Sequence, residues 1–186
     1  MPEPDRLYQA PVLEGSEATC YTGSGPGASR SRGKVKHVRH IDLADELATE
    51  LLGRRIAATL KRGDLVTLSG ELGAGKTTLA RAMIRTRAGV LIEVPSPTFT
   101  LVQTYPETDP EIWHADLYRL DRPGEVDELG LGEALDAAAV IVEWPERARR
   151  PLGGDRLDVT LVHTGAGSRR ATLTAHGSWK GRLRHV

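Results

Sequence analysis

Residues 66–83, VTLSGELGAGKTTLARAM, set Gly70, Gly75, Lys76 and Thr77 at the spacing G-x-x-x-x-G-K-T. No other feature of the chain constrains its fold as tightly. A loop of this type turns backbone N–H groups inward and adds the positive end of the helix that follows, so it needs a strand to deliver it and a helix to begin at it. Both flanks are present. DLVTLSG, 64–70, is a short β-branched and apolar strand, and KTTLARAMIRTRAG, 76–89, is a helix closed by Gly89. In this setting the Lys76 ammonium bridges the β- and γ-phosphates of a nucleoside triphosphate, and the Thr77 hydroxyl is a ligand for Mg²⁺.

Around this unit the chain alternates helical and strand patterns, which predicts an α/β fold. Leu43, Leu47, Leu51, Ile56 and Leu60 recur at helical spacing among small alanines, with Asp42 as the expected N-cap and the end at Lys61-Arg62-Gly63. IWHADLYRL (112–120) and AAAVIVEWP (137–145) read as strands, the second apolar enough to be buried on both faces. GEVDELGLGEALD between them makes one or two short helices. RLDVTLVHT and SRRATLTAHG alternate around Gly165-Ala166-Gly167 as an antiparallel hairpin. The expected architecture is a three-layer sandwich of the P-loop NTPase type. Its central sheet is mainly parallel, with the C-terminal hairpin at the edge.

A triphosphate site also needs a carboxylate near the metal, because Mg²⁺ keeps octahedral oxygen coordination. Glu143 ends the most apolar strand, at the edge of a parallel sheet where phosphates sit, and is the primary candidate; the competing role is a cap outside the sheet. Asp116, in HADLYR, either holds a metal-bound water, orients the attacking one, or forms a structural pair with Arg119. The segment VPSPTFTLVQTY (94–105) is held extended by two prolines and presents Ser96, Thr98 and Thr100. It is a candidate switch loop for the γ-phosphate, or else a plain surface connection. Guanine readers of the N-K-x-D type need an asparagine, and this chain contains none, so ATP is the expected nucleotide.

Composition bounds the rest. With 25 basic and 25 acidic side chains among 186 residues, no global charge favours a polyanion partner. The single cysteine, Cys20, excludes an internal disulfide, and no run approaches 18 apolar residues, so a cytosolic location and no membrane contact are expected. Residues 1–29 are rich in proline, glycine and acid without periodicity, and RSRGKVKHVRH (30–40) is a basic linker, solvated or in contact with RNA. The expected division is an extension over 1–40, a P-loop ATPase domain over 41–180 and a tail over 181–186.

GELGAGKTTLARA, PSPTFTLVQTY, HADLYRL, ELGLGEALD and VEWPERA, in this order and spacing, resemble the TsaE (YjeE) family of bacterial P-loop ATPases over residues 42–178. The resemblance implies an ATPase that works with the TsaD and TsaB proteins in making N6-threonylcarbamoyladenosine in tRNAs reading codons that begin with A. In that scheme ATP hydrolysis resets the TsaD–TsaB complex, and tRNA is met through the complex. Position by position, the family pattern assigns Glu71, Leu72, Gly73, Ala74, Gly75, Lys76, Thr77 and Thr78 to the phosphates, Thr77 and Glu143 to Mg²⁺, and Asp116 to catalysis or metal support. Trp144 falls where the family also has tryptophan. Thr49 matches a family threonine and is either a nucleotide contact or an exposed helix residue. The extension over 1–40 has no counterpart, and Asp45 replaces a common serine.

No motif places an arginine finger or a water-activating histidine, although Arg119, Arg147 and Arg149 are candidates. Feeble hydrolysis by the isolated protein is therefore expected. Two other readings stay open: a P-loop kinase of a small metabolite, with ERARRPLGGDR (146–156) as its lid, and a nucleotide-gated interaction module.

Overall fold

The computed structural model describes residues 37–122, 124–148 and 152–186. In chain order the elements are β1 (Val38–Leu43), α1 (Glu46–Thr59), β2 (Leu65–Gly70), α2 (Lys76–Ala88), β3 (Val102–Tyr105) and β4 (Ile112–Asp116). There follow α3 (Glu125–Glu128), α4 (Leu131–Ala134), β5 (Ala139–Glu143), β6 (Arg156–His163), β7 (Arg169–Ala175) and α5 (Trp179–Arg182). The seven strands form one sheet in the order β1-β7-β6-β2-β5-β4-β3. β6, β2, β5 and β4 run parallel, and antiparallel strands flank this core on both sides.

The parallel core is apolar because both its faces are covered. Val66, Leu68, Ala139, Ile141, Leu157, Val159 and Leu161 join the cluster under α1, α2 and α5, while Leu65, Val140 and Val142 join the cluster under α3 and α4. Alternate residues of one strand thus serve opposite layers, which gives the three-layer sandwich. Burying each such Leu or Ile side chain contributes about 1.5–3 kcal/mol. No helix among the described residues is long and apolar enough to cross a membrane.

Several expected boundaries move. β1 begins at Val38, inside the stretch read as a linker, and pairs with β7 to cover an edge that would otherwise be unpaired. Asp42 is therefore a strand residue. The Arg170 guanidinium, hydrogen-bonded to it at 2.6 Å, holds its carboxyl below the usual value. The helix cap is Asp45, whose Oδ1 accepts the Ala48 N–H at 2.7 Å. α1 buries Thr49, Leu52, Gly53, Ile56 and Ala57; of the expected stripe Leu43, Ile56 and Leu60 are buried, whereas Leu47 and Leu51 are exposed. The cause is close packing on α2: a Cβ on Gly53 would stand 2.7 Å from Ala82 Cβ and 2.9 Å from Leu79 O. Small residues, not leucines, fit that contact.

The two strands read from sequence are shorter than their apolar runs. β4 stops at Asp116, where the chain turns out of the sheet with the Tyr118 N–H bonded to Asp116 Oδ1 at 2.9 Å. The end of the presumed switch loop, 102–105, is instead β3, paired with β4. Residues 181–186 are no free tail. Leu183 and Val186 are buried, and Arg182 makes a two-pronged ion pair with Asp64, at 2.6 Å on each prong.

Candidate functional site

β2 ends at Gly70 and the loop passes through left-handed backbone at Gly73 and Gly75, with φ of 78° and 103°. Such φ values disfavour residues bearing a Cβ, so the glycine spacing seen in the sequence is a requirement of the turn. Gly75 is the N-cap of α2, and no side chain caps the helix. The Ala74 N–H closes the loop on Glu71 O at 3.1 Å, and the Leu79 N–H is the first to bond back, to Gly75 O. The N–H groups of Lys76, Thr77 and Thr78 are thus left by the helix geometry to an outside acceptor. A 13-residue helix presents its positive end there.

Lys76 is 4% exposed. Its Nζ donates to Gly70 O at 2.7 Å and Glu71 O at 2.8 Å, and lies 3.7 Å from the centre of the Trp144 ring. Burial pushes the Lys76 pKa down, opposed by the negative charges of Glu143, Glu146 and Asp116. Trp144 itself adopts left-handed backbone, φ 58°, which swings its ring across the end of β5.

Asp116 and Glu143 end adjacent parallel strands and are register partners, so both carboxylates emerge at the loop edge of the sheet. Both are nearly buried, at 3% and 2% exposure. Glu143 accepts the Thr77 hydroxyl on Oε2 and the His114 Nε2 on Oε1, each at 3.0 Å. Asp116 accepts the Ser96 and Thr98 hydroxyls on Oδ2, at 3.1 and 2.6 Å. Thr100 is exposed and outside this cluster, and Leu72 projects to solvent at 76% exposure. Arg119 does not pair with Asp116; its guanidinium stacks on Phe99, 4.1 Å from the ring centre.

Lys76, Thr77, Thr98, Asp116, Glu143 and Trp144 line one cleft of about 270 Å³. Its donor set is all hard oxygen: the Thr77 hydroxyl beside the Glu143 carboxylate, with Asp116 on the next strand. That chemistry fits Mg²⁺. No group of three His, Cys, Asp or Glu residues able to hold a metal occurs among the described residues, so these side chains alone would not complete the coordination of such an ion.

Thr49 is not the exposed helix residue allowed as one reading. It is fully buried, its hydroxyl donates to Asp45 O at 3.1 Å, and its methyl faces Gly75. Arg147 lies 5.6 Å from the Tyr118 ring, and Arg149 is outside the described residues. Two participants had no sequence signal of their own. His114 is a fully buried partner of Glu143, discoverable only from the pairing of β4 with β5. Arg169 reaches the loop from β7, and nothing short of the hairpin's placement indicates it.

A family profile described as "Threonylcarbamoyl adenosine biosynthesis protein TsaE" matches residues 43–171. Proteins named tRNA threonylcarbamoyladenosine biosynthesis protein TsaE are similar over most of their length. That of Rickettsia felis is 38% identical over 73% of this chain and 80% of its own. That of Streptomyces coelicolor is 41% identical over 68% and 89%, and that of Bacillus subtilis 35% over 70% and 81%. The crystal structure of Bacillus subtilis YdiB superposes with a TM-score of 0.69 at 27% identity, covering 82% of this chain and 95% of that one.

Proposed function

The chain belongs to the TsaE family, and from that premise we propose that it is a Mg²⁺-dependent ATPase. Its cycle drives the TsaD–TsaB complex in N6-threonylcarbamoyladenosine modification of tRNA. One observation carries the reading: the uncapped α2 N-terminus, Lys76 and the Thr77–Glu143 pair open into the same cleft.

In this reading the N–H groups at the start of α2 hold the β-phosphate, and Lys76 leaves its two loop carbonyls to span the β- and γ-phosphates. Thr77 and Glu143 would hold Mg²⁺, which would supply charge neutralisation at the phosphates, and His114 keeps the Glu143 carboxylate in place from behind. Asp116 restrains Ser96 and Thr98, so the 94–101 loop is tied to the floor of the cleft, where a γ-phosphate competes for the same hydroxyls. ATP is preferred over GTP because the chain has no asparagine for guanine.

Chemistry by the isolated chain should be slow. Both carboxylates are engaged by hydroxyl, imidazole or amide donors, and Arg119 and Arg147 rest on aromatic rings. A partner supplying transition-state charge then raises the rate by orders of magnitude. The test is phosphate release from ATP by the chain alone and with TsaD–TsaB, using Lys76→Ala as the control. Stimulation by the partners supports the proposal. Transfer of the γ-phosphate to a metabolite, or fast turnover indifferent to partners, refutes it.

A further inference from the structure

Arg169 opens β7 and approaches the phosphate loop from the β6–β7 side, away from the two carboxylates. It is 9% exposed. Its Nη2 donates to Gly167 O at 3.0 Å, while its Nε has no partner among the described residues. Two other arginines that are largely covered are matched with acids, Arg182 with Asp64 and Arg156 with Asp158, while Arg81 and Arg85 donate to the backbone carbonyls of Val94 and Ile92. Arg169 forms no ion pair with any carboxylate among the described residues. A buried guanidinium whose charge no neighbouring carboxylate balances is costly, and it persists where another gain offsets it.

The gain is legible in what the guanidinium touches. A Cβ on Gly75 would lie 2.5 Å from Arg169 Nη1, so the side chain is packed against the bare Cα of the residue that caps α2. The Thr49 methyl closes the same spot, 3.6 Å from that Cβ position. The left-handed turn at Gly75 is therefore wedged from behind by a cation and a methyl group. Three sources of positive potential meet there: the α2 N-terminus, Lys76 and Arg169.

We propose that Arg169 is a positioning residue of the nucleotide site, wedging Gly75 in its left-handed turn and contributing a charge that a bound polyphosphate balances. This rests on the nucleotide reading above. It extends that reading to a residue on the far hairpin and makes the β6–β7 turn part of the site.

The test is ATP binding by the full chain, followed by calorimetry at several salt concentrations, together with thermal unfolding of the protein without nucleotide. Arg169→Met keeps the bulk and removes the charge; Arg169→Gln does the same with a smaller apolar surface, and Arg169→Lys keeps the charge. Both neutral variants should unfold at or above the wild-type temperature, bind ATP about tenfold more weakly, and show a shallower salt dependence. Arg169→Lys should recover much of the affinity. Neutral variants that bind within twofold of wild type overturn the inference. So does weaker binding that only follows a lowered unfolding temperature, with the salt dependence unchanged. A wild-type chain that binds no ATP overturns the underlying nucleotide reading instead.

Discussion

Replacing His114 by leucine removes one of two side-chain partners from a carboxylate that is 2% exposed. Glu143 then keeps only the Thr77 hydroxyl at 3.0 Å. Losing a hydrogen bond to a buried charged group costs about 1.5–3 kcal/mol, and stranding the charge raises the figure to about 3 kcal/mol. For an ordered region of this size that is a fall of about 6–12 °C in Tm. Leucine fits the fully buried His114 position without leaving a large void, so little of the loss is cavity. The attribution is checked by urea unfolding of His114→Leu, Glu143→Leu and the double variant. If each single change strands its partner, the double variant is more stable than additivity predicts by about 2 kcal/mol. The same His114→Leu protein should bind ATP without Mg²⁺ as the wild type does, since the loop glycines and Lys76 are untouched. Additive losses, with coupling under about 0.5 kcal/mol, would refute the positioning role.

Asp64→Ala breaks the two-pronged pair with Arg182, removes the carboxylate that accepts the Lys61 N–H, and should cost about 3 kcal/mol in equilibrium unfolding. Mild proteolysis should then clip the C-terminal residues first. Tyr105 carries a buried hydroxyl without a partner among the described residues, and burial first, then Glu107, raises its pKa above 10.0, with Arg81 opposing. A phenol whose folded pKa is raised contributes stability fully present below the unfolded value and lost as pH rises through the folded one. Tyr105→Phe should therefore change neutral-pH stability by no more than about 0.5 kcal/mol and flatten the decline above pH 10, measured by unfolding across the alkaline range.

The glycine loop over 70–75 and the Glu143 strand were legible because each is dictated by local chemistry. Left-handed turns at Gly73 and Gly75 demand glycine, and a strand buried on both faces must read as AVIV. β1 was hidden because VRHIDL sits at a sheet edge with three of its side chains charged or imidazole, and it gains its place only by pairing with β7. The first half of the α1 stripe, Leu47 and Leu51, was misplaced for a related reason, while Ile56 and Leu60 are buried as expected. Hydropathy points to Leu47 and Leu51, but the closeness of α1 to α2 selects Gly53 and Thr49. His114 and Arg169 depend on which strands lie side by side, and single-sequence periodicity carries no information on that. Ser96 and Thr98 stand out in the sequence as hydroxyls on a proline-flanked segment, but their bonds to Asp116 depend on where β4 ends and carry no sequence signal.

On the proposed function, ATP turnover at this cleft sets the pace of tRNA modification. The direct measurement is N6-threonylcarbamoyladenosine formed over many turnovers by TsaD–TsaB with the wild-type chain or with Glu143→Ala. Sustained product is expected with the wild type, and product that stops near one equivalent of complex with a variant that still binds ATP and its partners. Sustained modification by Glu143→Ala at the wild-type rate would contradict it.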